Sequence, residues 1–233
     1  MNKLSIVVPV YNEEKNIGEF LNRTISTIDK LNCDYEIIFA LNPSKDNTRN
    51  IIFEHLNKNK KIKLLCLSRR FGQPLSVMAG IKNCTGERCV VIDCDLQDPP
   101  ELILDLYKKM DQGYDVVTAK RENRDGETFI KKIITKFGYF FINNITEIKI
   151  PKNTGDFRII SKRVLNELKK IDDKSAFLRG LVSYIGFDQT FILYNRDKRH
   201  DGKSKYNKYF GSLKIAMNGI VGFSSKPLFM ILI

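Results

Sequence analysis

Hydrophobic residues along the first hundred positions follow two different periodicities. Short apolar runs rich in β-branched side chains are typical of buried strands, and longer segments with apolar residues three or four apart predict helices. The strands predicted in this way are Leu4–Val10, Tyr35–Leu41, Ile62–Leu67 and Cys89–Ile92. The helices predicted between them cover residues 16–31, 47–57 and 74–84. We expect Asp46 to cap the second helix and Gly86 to end the third.

This alternation of strands and helices predicts an α/β fold, with a mostly parallel sheet and helices on both of its faces. In such sheets ligands bind at the carboxyl ends of the strands. The loops at Tyr11, Asn42, Arg69 and Asp93 are therefore expected to converge on one edge. No GxGxxG motif follows the first strand and the chain has no GxxxxGK[ST] motif, so a dinucleotide site is poorly supported and a P-loop is excluded.

The pattern continues after residue 100 with shorter elements. Helices are predicted at 101–110, 162–169 and 176–185, and strands at 114–119 and 189–194. Residues 153–158 predict a loop with Asp156 at its turn, leading into a short strand. The segment Phe129–Ile142 predicts an amphipathic helix, which either packs on the core or faces a membrane.

An acidic stretch directly follows the fourth predicted strand. Asp93 and Asp95 are two residues apart, so their side chains point to the same side if the strand geometry persists. Two neighbouring carboxylates at a strand end are unfavourable unless a positive charge lies between them, and a hard divalent cation is the obvious candidate. The alternative is an ordinary acidic surface turn.

Composition narrows the class of protein. The 233 residues include 42% hydrophobic ones, enough for one α/β domain with an appendage or for two small domains. The five cysteines are an odd number without a CxxC pair, and only two histidines occur. These counts argue against a disulfide framework and against a zinc site, and favour reduced thiols in a cytosolic protein.

The formal net charge of +12 suits nucleic acid, an anionic membrane surface or phosphorylated substrates. Between Arg196 and Lys226 eight Lys and Arg residues stand against two Asp, interleaved with aromatic and aliphatic side chains. This profile predicts either a segment on a membrane interface or a basic helix packed on its own domain. Nucleic acid is disfavoured as a partner, because binding a polyanion would not explain the acidic stretch at the edge where ligands are expected.

The domain division follows from these segments. Residues 1–196 are expected to form the catalytic domain, residues 197–226 a basic phosphate-clamp loop with an amphipathic membrane-surface helix, and residues 227–233 the start of a transmembrane helix. Six apolar residues after Pro227 are too few to span a bilayer, which needs about 20, so we expect that helix to continue beyond Ile233.

The motifs together resemble the family 2 glycosyltransferases of GT-A fold. Within that family they resemble the polyprenyl-phosphate branch, which includes enzymes like dolichyl-phosphate mannose synthase and bacterial undecaprenyl-phosphate glucosyltransferases. The resemblance runs from Leu4 to Pro227 and rests on the order and spacing of its pieces. The pieces are Val7–Glu14, Phe71–Gln73, Met78–Gly80, Asp93–Pro100, Gly155–Arg158, Phe177–Leu181, Ile185–Phe187, Arg199–Tyr206 and Gly219–Pro227.

The resemblance implies an inverting, metal-dependent enzyme that moves a sugar from a nucleotide-diphosphate sugar to a polyprenyl phosphate. It places the full-length protein in the inner or plasma membrane, with its active site at the cytoplasmic face. Mg²⁺ or Mn²⁺ would be bound by Asp93, Asp95 and Gln97. The donor nucleotide would be bound by Pro9, Tyr11, Asn12, Glu13, Asn42, Gln73 and Asp93. Asp98 is then left as a cap of the helix that starts at Pro99.

Further residues are assigned to the phosphate groups. The resemblance implies that Arg199 and Lys205 clamp the donor phosphates and take part in catalysis with Asp95. Arg121 and Arg124 are candidates for the acceptor phosphate. Many relatives have Asp-Asp-Gly-Ser after the second strand where this chain has Leu41-Asn42-Pro43-Ser44, so the nucleobase contact differs here. A UDP-sugar is favoured, because several stretches look most like the undecaprenyl-phosphate branch.

Asp156 stands where family members keep the carboxylate that is called the catalytic base. A lipid phosphate has a second pKa of about 6 and is largely ionised at pH 7, so it can attack without a base. We therefore expect Asp156 to orient a ligand or organise Arg158 and Arg179, and Asp156→Asn to be less damaging than Asp95→Asn. Two alternatives stay open, a saccharide acceptor and a catalytically silent membrane-recruited binding protein. A homo-oligomer is compatible with the sequence.

Overall fold

The computed structural model describes residues 3–122, 154–172, 177–197 and the single residue 222. Its strands are β1 Lys3–Val10, β2 Asp34–Leu41, β3 Ile62–Cys66, β4 Arg88–Val91, β5 Val116–Arg121, β6 Thr154–Ser161 and β7 Gln189–Tyr194. Its α-helices are α1 Ile17–Ile28, α2 Thr48–Lys58, α3 Gln73–Asn83, α4 Ile103–Met110, α5 Lys162–Lys170 and α6 Leu178–Ile185. Single turns of 3-10 helix occur at Asp29–Leu31 and Pro100–Leu102.

The seven strands form one sheet in the order β3-β2-β1-β4-β6-β5-β7. Strand β6 is antiparallel to both of its neighbours, β4 and β5, and the other paired strands are parallel. The prediction of a mostly parallel sheet is therefore confirmed. The carboxyl ends of β1, β2, β4, β5 and β7 lie along the same edge, as expected for parallel strands.

Helices cover both faces of the sheet, so its central strands are buried on both sides. Leu4 and Ile6 of β1 share a cluster of buried side chains with Phe20 of α1 and Leu106 of α4. Val7 faces the other way and packs in a second cluster with side chains of α3, α5 and α6. This double burial explains why the strand residues form continuous apolar runs.

Two glycines allow close packing against β1. A Cβ atom at Gly80 of α3 would lie 2.3 Å from Cγ1 of Val7, so only glycine fits without a shift. The expectation that Gly86 ends α3 is wrong, because the helix ends at Asn83. Gly86 is instead needed for space, since a Cβ atom there would lie 2.7 Å from the backbone oxygen of Lys3.

Residues 154–158 of the predicted loop belong to a strand. Thr154–Ser161 forms β6, and Asp156 lies within it rather than at a turn. The strand is inserted between β4 and β5, so pairing on both sides overrides the turn character of Gly155 and Asp156. Phe157 and Arg158 are both buried, and Arg158 pairs with Val91 at the end of β4.

A buried carboxylate ties the strands together at the edge opposite the ligand loops. Glu36 of β2 is 1% exposed and accepts hydrogen bonds from Ser5 Oγ at 2.6 Å, Lys63 Nζ at 2.6 Å and Thr85 N at 2.6 Å. Burial alone raises the pKa of this carboxyl group, but the hydrogen bonds from Lys63, Ser5 and Thr85 outweigh it and lower the pKa to about 2. Glu36 is therefore ionised and fully bonded at neutral pH.

Several predicted segments lie outside the described residues. These are the amphipathic helix Phe129–Ile142, the basic segment 197–226 beyond its first residue (Gly222 aside), and the C-terminal residues 227–233. Among the residues that the structure does describe, no helix has both the length and the apolar character to cross a bilayer. The domain boundaries stay predictions.

Candidate active site

The acidic stretch forms a tight turn after β4. The strand ends at Val91, and Leu96 adopts a left-handed backbone with φ of 59°. The strand geometry assumed for Asp93 and Asp95 therefore does not persist through Asp95. Asp95 is buried and its Oδ1 accepts a hydrogen bond from the backbone N–H of Gln97 at 3.1 Å, which stabilises the turn.

Asp93 lies at the centre of a cluster of carboxylates. Burial raises the pKa of Asp93 well above its usual value, and the charges of Asp95, Asp98 and Asp156 raise it further. The charge of Arg196 acts in the opposite direction. Burial and the neighbouring carboxylates both disfavour the ionised form of Asp93, so a bound cation would stabilise that form.

Gln73 joins two of these carboxylates. Its Nε2 donates to both oxygens of Asp93, at 2.9 and 3.1 Å, and lies 3.5 Å from Oδ2 of Asp156. Gln73 is the first residue of α3, and the preceding Gly72 has φ of 87°, which lets the chain turn sharply into the helix. The amide thus lies between the acidic turn and β6.

Asp156 is paired with arginines. Nε of Arg179 in α6 donates to Oδ1 of Asp156 at 3.0 Å, and Nε of the buried Arg158 donates to the backbone oxygen of Asp156 at 3.3 Å. Burial raises the pKa of Asp156, but the charges of Arg179 and Arg158 outweigh it and leave the pKa below its usual value. A carboxylate of such low basicity is a weak proton acceptor near pH 7.

Asp98 is not the helix cap that we expected. Its buried carboxylate accepts hydrogen bonds from the hydroxyl of Tyr194 and from Nε of Arg196, the latter at 3.2 Å. Nη2 of Arg121 lies 3.7 Å from the same oxygen. The sequence separation of 96 residues between Asp98 and Tyr194 explains why a local interpretation missed these contacts.

The predicted donor-binding loop after β1 is braced against the loop after β2. The backbone N–H of Asn12 donates to Ser44 Oγ at 3.0 Å, and its Oδ1 accepts from Lys45 N at 2.8 Å. The backbone N–H of Glu13 donates to Thr48 Oγ1 at 2.8 Å. Asn12 adopts a left-handed backbone with φ of 52°. The hydrogen bonds join the two loops into one unit beside Pro9, which is buried in β1.

Asn42 holds a third loop in place. Its Nδ2 donates to Ser76 Oγ at 2.8 Å, and its Oδ1 accepts from the backbone N–H groups of Phe71 and Gly72 at 3.0 and 3.3 Å. Both lone pairs of Oδ1 are therefore used, and a nucleobase contact would require one of these bonds to be given up. In this structure Asn42 positions the loop that follows β3, and its contact with a nucleobase stays a prediction.

That loop carries the guanidinium group of Arg70 to the ligand edge of the sheet. The guanidinium of Arg70 lies over the ring of Tyr11, 4.1 Å from the ring centroid. Tyr11 is one of the predicted nucleotide-binding residues. Because Asn42 fixes the adjacent Phe71 and Gly72, the stacked pair of Arg70 and Tyr11 is held between the loops after β1 and β3.

The remaining predicted site residues divide into two groups. Arg121 ends β5 and lies at the ligand edge beside Asp98, whereas Arg124, Arg199 and Lys205 lie outside the described residues. Sequence reasoning did not assign Tyr194 or Arg196 to the site. Both stand at the carboxyl end of a parallel strand, so the rule that placed the other four loops could have found them.

The donor set fits a divalent cation only in part. Carboxylates of Asp93 and Asp95 and the side-chain oxygen of Gln97 are hard ligands of the kind that Mg²⁺ and Mn²⁺ prefer. Within the described ranges, no three His, Cys, Asp or Glu side chains are grouped closely enough to hold a metal. A cation here would need further oxygen ligands such as the phosphates of a bound nucleotide, which is the usual arrangement for Mg²⁺.

The fold and this edge place the chain among α/β proteins that bind ligands at the carboxyl ends of parallel strands. A family model described as Glycosyl transferase family 2 matches residues 5–169. The chain belongs to this family, and the resemblance inferred from its motifs is confirmed.

Two relatives illustrate the match. An uncharacterized glycosyltransferase from Synechocystis, sll0501, is 42% identical over 226 residues, which cover 97% of this chain and 71% of that protein. A bactoprenol glucosyl transferase from Shigella phage SfX is 35% identical over 227 residues, which cover 97% of this chain and 74% of that protein.

A solved structure confirms the GT-A fold class. The glucosyl-3-phosphoglycerate synthase from Mycobacterium tuberculosis, in complex with Mn²⁺, UDP and phosphoglyceric acid, superposes with a TM-score of 0.62. The match covers 94% of this chain and 76% of that chain at 18% sequence identity. An identity this low supports the shared fold and no closer similarity.

Proposed function

We propose that the protein is an inverting glycosyltransferase that moves a sugar from a UDP-sugar to a polyprenyl phosphate. The observation that carries the proposal is the juxtaposition of a carboxylate cluster around Asp93 with the arginines Arg121, Arg179 and Arg196 at one edge of the sheet. Such an edge can bind a diphosphate through a cation and a second phosphate through guanidinium groups. The phage relative named as a bactoprenol glucosyl transferase supports a polyprenyl-phosphate acceptor.

On the donor side, Pro9, Tyr11, Asn12 and Glu13 would form the nucleotide pocket, with Arg70 stacked on Tyr11. UDP in the similar synthase structure supports a uridine nucleotide. Asn42 would act indirectly, by holding the loop that carries Arg70.

Asp93, Asp95 and Gln97 would hold Mg²⁺ or Mn²⁺ together with the donor diphosphate. The bound cation would neutralise the negative charge that develops on the leaving UDP. Arg199 and Lys205 would add cations to the same diphosphate. Gln73, which donates to both carboxylate oxygens of Asp93 and approaches Asp156, would orient the groups between donor and acceptor.

On the acceptor side, Arg121 and Arg124 would bind the lipid phosphate. An oxygen of that phosphate attacks the anomeric carbon, the bond from that carbon to the UDP oxygen breaks, and the configuration is inverted. The attacking oxygen is already ionised near pH 7, so no proton has to be removed. Asp156 would keep Arg179 in place rather than act as a base, in agreement with its low pKa.

The membrane assignment rests on the lipid acceptor and on the sequence of the basic segment 197–226. The reaction would take place at the cytoplasmic face of the inner or plasma membrane, where UDP-sugars are available. Residues 227–233 would begin a transmembrane helix of the full-length protein.

A direct transfer assay tests the proposal. The protein is incubated with radiolabelled UDP-sugars, undecaprenyl phosphate in detergent, and Mg²⁺ or Mn²⁺, and the label in the lipid extract is counted. We expect lipid-bound label with at least one UDP-sugar, and loss of that label with a chelator or with Asp95→Asn. Transfer to a soluble saccharide instead would support the alternative acceptor, and absence of both transfer and UDP binding would support a silent binding protein.

A further inference from the structure

The carboxylate of Asp98 connects three segments that end at the ligand edge. It is 4% exposed and belongs to the acidic turn, while its partners come from the ends of β5 and β7. The hydroxyl of Tyr194 and Nε of Arg196 donate to Oδ1, and Nη2 of Arg121 lies 3.7 Å from that oxygen. One buried oxygen therefore receives two hydrogen bonds and a second guanidinium charge.

Additional contacts hold the same three segments side by side. Nε of Arg121 donates to the hydroxyl oxygen of Tyr194 at 3.3 Å, so this guanidinium is held at two points. The backbone N–H of Asp197 donates to the backbone oxygen of Gln97 at 3.0 Å. The acidic turn is thereby hydrogen-bonded to the chain that leaves β7.

The two arginines held in this way lie near the other carboxylates of the ligand edge. The charge of Arg196 acts on Asp93, and the charge of Arg121 acts on Asp156. Free arginine side chains lose considerable rotamer entropy when they bind a phosphate, and a guanidinium fixed beforehand loses less. Two neighbouring guanidinium groups also repel each other unless a carboxylate lies between them.

We propose that Asp98 is a positioning residue, which fixes Arg121 and Arg196 beside the acidic turn in the orientation that binds substrate phosphate. The inference rests on the proposed function, because it needs a substrate with a phosphate group. Asp98 itself touches neither the sugar nor the cation. It acts through the two arginines.

A double-mutant cycle tests this inference. Asp98→Ala, Arg121→Ala and the double variant are compared with the wild type in kcat/KM for undecaprenyl phosphate. Loss of a charged hydrogen bond corresponds to about 1.5–3 kcal/mol, so each single variant is expected to lose on the order of 10- to 100-fold. If Asp98 acts through Arg121, the double variant loses little more than the single variant with the larger loss. Losses that multiply would overturn the proposal.

Two control variants separate positioning from general destabilisation. Asp115 is also buried and bonded to an arginine, with Nε and Nη2 of Arg163 at 3.0 and 2.6 Å, but it lies at the opposite end of β5. We expect Asp115→Ala to lower Tm without raising KM for the acceptor. An equal rise in KM with Asp115→Ala would contradict the positioning role. Asp98→Asn, which keeps the shape and loses the charge, is expected to fold with a Tm close to wild type and still raise KM.

The four proteins of the cycle are also titrated with inorganic phosphate, which shares the chemistry of the acceptor headgroup, and the Kd for phosphate is measured. Coupling in phosphate affinity without any sugar transfer by the wild type would sustain the role of Asp98 and refute the proposed function. Sugar transfer with independent, multiplying effects in both readouts would refute the role of Asp98 alone. Neither transfer nor coupling would refute both.

Discussion

The substitution Asp156→Asn distinguishes a base from a residue that holds an arginine. Asp156 and Arg179 are each 21% exposed, and Nε of Arg179 lies 3.0 Å from Oδ1 of Asp156. A hydrogen bond to a charged group contributes about 1.5–3 kcal/mol, and partial exposure favours the lower end. The asparagine oxygen still accepts this bond, so we expect the variant to lose only the ionic part, about 1 kcal/mol, which corresponds to roughly a five-fold decrease in kcat/KM.

Removal of a general base gives a larger loss, about 10²- to 10⁴-fold. The assay is kcat/KM for sugar transfer to undecaprenyl phosphate by wild type, Asp156→Asn and Asp95→Asn, with Tm measured for each. Asp95→Asn is expected to lose at least about 10²-fold, because it removes the anionic ligand that we propose for the cation. Equal losses for both variants, beyond about 10²-fold, would refute the reasoning and restore Asp156 as a base.

Three further predictions concern other parts of the chain. The pKa of Glu36 is about 2 in the folded protein against an ordinary value of 4.5, so its contribution of about 3 kcal/mol is complete above pH 4.5 and is lost as the pH falls towards 2. Chemical denaturation should therefore give Glu36→Gln a much lower free energy of unfolding than the wild type at pH 7, and the difference should shrink below pH 4. A difference in the free energy of unfolding that is independent of pH would contradict this. Arg70→Ala should raise the Kd for UDP about three- to five-fold through loss of the stacked pair with Tyr11, and an unchanged Kd in calorimetry would remove Arg70 from the pocket. Gly80→Ala should lower stability by about 1–3 kcal/mol, since its Cβ would lie 2.3 Å from a methyl group of Val7, and unaltered denaturation would show that α3 can shift freely.

The sequence predicted the elements that depend on local pattern. Continuous apolar runs identified β1, β2 and β4, because strands covered on both faces need apolar residues on both sides. The carboxyl-end rule then brought Tyr11, Asn42, Arg69 and Asp93 to one edge without any knowledge of their contacts.

The contacts that define the site could not be predicted locally. Asp156 was expected at a turn because nothing in its own segment shows that β6 is inserted antiparallel between β4 and β5. Asp98 was expected to cap a helix because its partners Arg121 and Tyr194 are distant in sequence, and its own segment gives no sign of them. The position of Leu96 in the left-handed region is likewise a consequence of tertiary packing, since leucine does not favour it.

The most direct test of the account is the dependence of UDP binding on a divalent cation. Isothermal titration of the wild type and of Asp95→Asn with UDP is carried out with Mn²⁺ and with a chelator. The carboxylate cluster around Asp93 repels a diphosphate unless a cation joins the two, so we predict that UDP binds the wild type at least about ten-fold more tightly with Mn²⁺ and that Asp95→Asn loses this gain. UDP affinity that is the same with and without Mn²⁺ would contradict the central claim that this edge is a cation-assisted nucleotide-sugar site.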